Sequence, residues 1–363
     1  MKNYNLIDKE FTESMFGFDG EHRIINEAFD CALAIITADK VAKEIIGADD
    51  KIFYARKISR SSNISCICSK YPSILFYISR FNKITKFEKI EKYLPIYRLN
   101  PLVICFKNQL NSLSEEILFY SNSPQHDYWA FTQSVKIETI ETILNKFVEN
   151  FKSEVDSDEF SKKYDNFERL LRKNAKSISD HIGAIFELYQ SVLSIRFQLS
   201  YKFDRMSEKI ISEAEMLELH ETAKSDFDSF MKNWRTSSDF NGAVGYIWKL
   251  DYSSLMGFRY RVFLFFDASI ELSLTEILKK LQDRWLLIND KDGLFIDFNT
   301  PDIDLTTRGI GTFKNDDKSH REALTNAACS MIGINYFSNP SDCKNGRLFG
   351  KGLKLAKEQH MAA

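Results

Sequence analysis

The chain has 363 residues, with 49 Lys and Arg against 51 Asp and Glu, 44% hydrophobic and 13% aromatic. A net charge of -2 excludes a protein that coats nucleic acid by bulk charge, because that mode needs a cationic excess to release counterions. At roughly 150 residues per domain the length predicts two or three domains, each long enough to bury a core.

The opening Met1 to Glu10 reaches acidic residues before any apolar run, so no secretory signal is expected. No apolar stretch approaches the roughly 18 residues of a membrane span, and the expectation is a cytoplasmic protein with no membrane partner. Residues 1 to 136 read as a mixed α and β region. Ile25, Phe29, Leu33 and Ile36 recur at helical spacing, whereas Ser73 to Ile78 and Leu102 to Phe106 are apolar runs of strand length. Arg80 to Phe87 interleaves aromatic and basic residues, which suits either base stacking along a phosphate backbone or a solvated amphipathic face. The six cysteines are scattered, unlike a secreted disulfide scaffold. Cys66 and Cys68 form a C-x-C pair without a second Cys or His pair at zinc-finger spacing, so they read as ordinary thiols rather than a zinc site.

Residues 137 to 236 read as a helical scaffold. Ile140, Ile143, Leu144 and Phe147 recur at three and four residues, as do Ile182, Ile185, Phe186, Tyr189 and Val192, and no proline intervenes. Asp156 to Asp158 and Asn174 to Ser177 read as breaks between three or four helices, with Glu208, Glu213, Glu215 and Glu218 on solvated faces.

Residues 237 to 363 alternate strand and helix. Tyr246 to Tyr252 and Phe258 to Phe266, joined across Gly257, predict an antiparallel hairpin. Ser273 and Glu276 fit a capping box before a helix over Leu274 to Leu287, with Ile277, Leu278, Leu281 and Trp285 on one face. A strand over Leu294 to Phe298 follows, then the Arg308 to Gly311 turn and a last helix near His320 to Met331. This is an α+β pattern, an antiparallel sheet with flanking helices. In the second hairpin strand Arg259 and Arg261 share a face, with Tyr260, Val262, Leu264 and Phe266 on the other. Taken alone, the arginines read as an exposed, solvated pair.

Gly245 to Tyr252, followed by Gly257 to Arg261 and the apolar Val262 to Phe266, resembles the inovirus-type replication proteins, which include the filamentous-phage gene II initiator and prophage-encoded relatives. Arg308 to Gly311 and Gly346 to Gly352 add further matches in the same order, the last resembling the family's C-terminal Arg-x-Phe-Gly signature. The resemblance covers Asn241 to Gly352 and implies an HUH-type sheet. There, two histidines and an acidic or polar group hold Mg or Mn against the scissile phosphate, and a tyrosine on a later helix attacks it.

The chain departs from that pattern at each chemical position. Arg259 and Arg261 stand where the family has its histidines, and a guanidinium has no lone pair for a metal. Asp251 matches the acidic position and is left without nitrogen partners. Ser330 stands where the tyrosine belongs and Gly333 where a lysine does, which leaves Tyr336 as the candidate nucleophile or as a packing aromatic. Cys329 reads as a structural thiol, and His22, His126, His181, His220 and His360 form no metal-ligand pair. What the resemblance retains is phosphate binding by Arg259, Arg261 and Lys249, and by Arg347 and Lys351 in a basic tail with Lys344, Lys354 and Lys357.

The expectation is therefore a protein of phage or mobile-element replication that binds single-stranded or hairpin DNA without a cofactor and without nicking it. Two alternatives stand beside it. One is an active initiator with Tyr336 as nucleophile and Asp251 in a remodelled Mg or Mn site. The other is an interaction component of a prophage whose residues 1 to 136 bind a host or phage protein.

Overall fold

The computed structural model describes residues 7–8, 11–12, 17–19, 22–24, 27–48, 51–57, 65–71, 74–75, 78, 97–113, 128–131, 137–202, 213–253, 257–270, 273–299, 308–340 and 347–353. The Arg80 to Phe87 segment, Glu208, Lys344, Lys354 and Lys357 lie outside them. The chain divides into two compact units, one formed by Met1–Asn26, Leu171–Tyr336 and Pro340–Ala363 and the other by Glu27–Leu170 and Phe337–Asn339. No helix among the described residues is long and apolar enough to cross a membrane.

At the start of the chain, β1 (Gly17–Asp19) pairs antiparallel with β2 (His22–Ile24). The unit that follows begins with α1 (Glu27–Ile46), where the spacing of Phe29, Leu33 and Ile36 predicted a helix. Next come β3 (Phe53–Lys57), β4 (Ser65–Ser69), β5 (Tyr97–Leu99), α2 (Pro101–Asn111) and β6 (Tyr128–Phe131). The strands β3, β4 and β6 form an antiparallel sheet in that order.

Leu102 to Phe106, expected as a strand, lies inside α2. Asn100 caps that helix by accepting from Leu102 N at 2.8 Å, and Pro101 occupies the first turn, where its missing N–H costs nothing. Ile74, Leu75 and Ile78, from the other apolar run expected as a strand, are helical as well.

α3 (Ile137–Val155) seals the outer edge of β3. The Asn145 side chain acts as a substitute strand: its Oδ1 accepts from Phe53 N at 3.1 Å and its Nδ2 donates to Phe53 O at 2.9 Å. Glu141 Oε2 accepts from Ala55 N at 2.7 Å. An exposed strand edge is thereby satisfied without another strand. The break at Asp156 to Asp158 falls where expected, but α4 (Asp158–Leu188) runs unbroken through Asn174 to Ser177. Leu171, Ile178, Ile182 and Ile185 keep its buried stripe continuous, so four polar residues do not end the helix.

The second unit is built on β7 (Ser191–Tyr201), which lies inside the stretch read as helical. Around it stand α5 (Glu213–Met231), β8 (Ala243–Ser253), β9 (Gly257–Asp267), α6 (Leu274–Ile288), β10 (Gly293–Asp297), β11 (Gly311–Lys314), α7 (Lys318–Gly333) and β13 (Phe349–Leu353). The short β12 (Ser338–Pro340) pairs with β5 instead. The hairpin β8–β9 and the α6 cap, with Ser273 Oγ accepting from Glu276 N at 3.4 Å, are as predicted.

The sheet order is β10-β7-β9-β8-β13, with every pair antiparallel. β11 shares the β10 edge of β7, pairing at Ser191 to Ser194, whereas β10 pairs at Phe197 to Tyr201. The gap at Arg196 is filled by Asn299, whose Oδ1 accepts from Arg196 N at 3.1 Å and whose Nδ2 donates to Arg196 O at 3.0 Å. The fold is α+β, an antiparallel sheet flanked by helices.

Candidate functional site

Alternation along β8 and β9 sends successive side chains to opposite faces of this sheet. One face is aromatic and lies against α5 and α6. Phe227 stacks on Tyr260 with ring centroids 3.8 Å apart, and Trp285 Nε1 donates to Ser200 O at 3.0 Å. The other face has two halves. Ile247, Phe263 and Phe265 form a core with Ile182 of α4 and Leu324 and Met331 of α7. Lys249, Asp251, Arg259 and Arg261 continue the same face as a charged half.

The register brings these four together. Lys249 lies opposite Arg261, and Asp251 opposite Arg259. Gln198 of β7 stands opposite Arg261 on its other side, and Ser194, Arg196 and Ser200 extend the polar row along β7. Lys249 Nζ is 2.7 Å from Asp251 Oδ1, and Arg261 Nε is 3.3 Å from Asp251 Oδ2. The Arg196 guanidinium sits 5.2 Å from the Phe263 ring centre and 5.5 Å from that of Phe298, an arrangement in which the ring quadrupoles attract the charge.

Burial alone would raise the Asp251 pKa, but the charges of Lys249, Arg261 and Arg259 outweigh it and hold the carboxyl below its ordinary range. Burial also lowers the Lys249 pKa, against the pull of Asp251. Asp251 is the one buried carboxylate in this unit among the described residues, and the Lys249, Arg259 and Arg261 whose charges act on it are buried as well.

Arg259 and Arg261 thus share a face as expected but are not a solvated pair, being 1% and 3% exposed. The sheet is covered on both sides, which the sequence alternation of charged and aromatic residues does not signal. Arg347 and Lys351 do reach solvent. Lys351 lies on β13, where its Nζ donates to Ser177 O at 2.6 Å. Arg308 is buried beside Gly309, whose φ of +72° requires a left-handed backbone. A Cβ on Gly309 would stand 2.7 Å from Ala327 Cβ and 3.1 Å from the Phe263 ring, so the turn presses α7 onto the sheet.

Tyr336 lies beyond α7 in a single 3-10 turn and is 1% exposed. With Ser330 and Cys329 it lines a cavity of about 360 Å³ bounded also by Ile7, Leu171 and Arg172. Asp251, Arg259 and Arg261 do not line that cavity, so the candidate nucleophile and the candidate metal ligand are not in one site. Ser330 Oγ donates to Ala327 O at 2.8 Å, within its own helix. Burial pushes the Cys329 thiol up to about 11, away from a nucleophilic thiolate.

No group of three or more His, Cys, Asp and Glu is placed to hold a metal among the described residues. The site residues that sequence reasoning missed are Ser194, Arg196, Gln198 and Ser200. Their signal was present as a strict two-residue alternation with Leu193, Ile195, Phe197, Leu199 and Tyr201. Comparison with protein-family models, curated proteins and solved structures gives no match to this chain.

Proposed function

We propose that the chain is a DNA-binding relative of rolling-circle initiators, with an HUH-like sheet, that has lost metal-dependent nicking. The observation that carries this reading is the engagement of Asp251 by Lys249 and Arg261 at 2.7 and 3.3 Å. A carboxylate that holds a divalent ion must turn its lone pairs to that ion. Here an ammonium and a guanidinium already neutralise it from within the protein. The ranges that carry the resemblance support the same reading: they fall on the adjacent strands β8, β9 and β13 and on the turn beneath α7.

DNA contact falls to the exposed cations at the β13 side of the sheet. Arg347 and Lys351 lie there, and Arg235 donates to Leu353 O at 3.2 Å while its guanidinium stands 5.5 Å from the Trp234 ring centre. Cations beside a half-buried aromatic suit a single strand, whose backbone is drawn by charge and whose bases stack. Lys249, Arg259 and Arg261 add positive potential from the low-dielectric interior.

The test uses the full chain with labelled single-stranded and hairpin oligonucleotides. Binding that weakens steeply with salt, is reduced about tenfold by Arg347→Ala combined with Lys351→Ala, and leaves no covalent adduct in manganese is expected. A manganese-dependent adduct that Tyr336→Phe abolishes replaces this reading with an active initiator. Failure to bind any nucleic acid overturns it altogether.

A further inference from the structure

Cys66 and Cys68 stand two residues apart on β4, the central strand of its sheet, so both thiols share one face. Their sulfurs are 3.7 Å apart in a buried contact, and the Cys66 thiol donates to Arg56 O at 3.3 Å. The register sets Tyr54 opposite Cys68 and Arg56 opposite Cys66. Both of these flanking residues are exposed, so the pair lies on a face that borders solvent.

The geometry points to a two-thiolate site for a soft monovalent cation, Cu(I). Metal–thiolate bonds of about 2.3 Å allow two sulfurs up to about 4.6 Å apart to share one ion. The observed 3.7 Å lies within that reach, and the strand backbone already holds both Cβ atoms on one side. A structural zinc ion takes four protein ligands. Among the described residues no third His, Cys, Asp or Glu joins this pair. A soft ion that is content with two thiolates fits the donor set where zinc does not.

Binding is a proton exchange without electron transfer. Two S–H bonds break, two Cu–S bonds form, two protons pass to solvent and the complex carries one negative charge. Arg56 stands opposite Cys66 in the register, where its charge offsets that of the anionic complex.

Reduced full-length protein titrated with Cu(I) under nitrogen, against the chromophoric chelator bicinchoninate, tests the site. Wild type and Cys329→Ser are expected to withdraw one equivalent. Cys66→Ser and Cys68→Ser should each hold it at least about tenfold more weakly, with Arg56→Ala between them. X-ray absorption of the loaded wild-type protein is expected to report sulfur neighbours alone and does not depend on the variants folding. Unchanged affinity in the double cysteine variant, or nitrogen and oxygen neighbours at copper, overturns the proposal. So does tighter binding of zinc than of Cu(I).

Discussion

Lys249 and Asp251 lie two residues apart on β8 and form a 2.7 Å ion pair whose side chains are 0% and 1% exposed. Arg261 approaches the same carboxylate from β9, so one anion organises cations from two central strands. Buried ions are costly to desolvate, and removing one partner leaves the other uncompensated.

Asp251→Leu and Lys249→Met are each expected to cost about 3–5 kcal/mol in urea denaturation. The apolar double replacement Lys249→Met with Asp251→Leu should cost less than the sum, because it removes both charges together. Strict additivity of the two singles would show that the ions do not act as a pair. The Asp251 contribution also has a pH sign. Its folded pKa is lowered, so the stabilisation is complete above the unfolded value and is lost as pH falls through the depressed folded one.

His181 gives a second pH dependence, in a different window. It packs from α4 with Nε2 3.2 Å from Tyr246 O, and burial, followed by the Lys351 charge, lowers its pKa to about 4. The unfolded imidazole binds its proton near pH 6.5, before the folded one does. Stability is therefore full above that value and declines as pH falls from about 6.5 toward 4. A loss of about 2 kcal/mol between pH 7.5 and pH 5 is expected. His181→Asn should flatten that slope in chemical denaturation measured at both values.

The Asn145 substitute strand makes a prediction for the other unit. Asn145→Ala removes two hydrogen bonds to Phe53 and leaves both its N–H and its C=O at the β3 edge without that partner. A cost of about 1–3 kcal/mol is expected, with faster amide hydrogen exchange at Phe53. Asn145→Asp keeps the acceptor for Phe53 N but not the donor to Phe53 O, and should fall between.

Two glycines should respond in opposite directions. Gly309→Ala forces a Cβ against Ala327 and Phe263 at a left-handed backbone position, and is expected to cost at least about 2 kcal/mol. Gly183 lies in the interior of α4 with nothing within 4 Å of a Cβ. Gly183→Ala should add about 0.5–1 kcal/mol of stability by helix propensity alone. Thermal unfolding of the two variants beside wild type checks both signs.

Much of the last third was legible because its signals are local. The β8–β9 hairpin follows from two β-rich runs across Gly257, and the α6 boundary from Ser273 and Glu276. The start of α2 is local too: Asn100 and Pro101 announce a helix, and that cap outweighs the strand-like length of the apolar run Leu102 to Phe106. β7 reaches further than its own length, because its face sets Gln198 beside Arg261 and carries Arg196 in the same buried polar row.

The sequence by itself determined which side chains share a face, since a period of two leaves Lys249 with Asp251 and Arg259 with Arg261 in any register. It also determined that the two residues sharing a face of β9 are guanidiniums, which offer a metal no lone pair. Only the tertiary structure decided what covers that face. Burial depends on which distant strand and helix pack against it, and strand periodicity is the same whether a face meets water or another layer. The packing turned an expected solvated arginine pair into an interior ion cluster around one aspartate. It also set the Tyr336 cavity apart from that cluster.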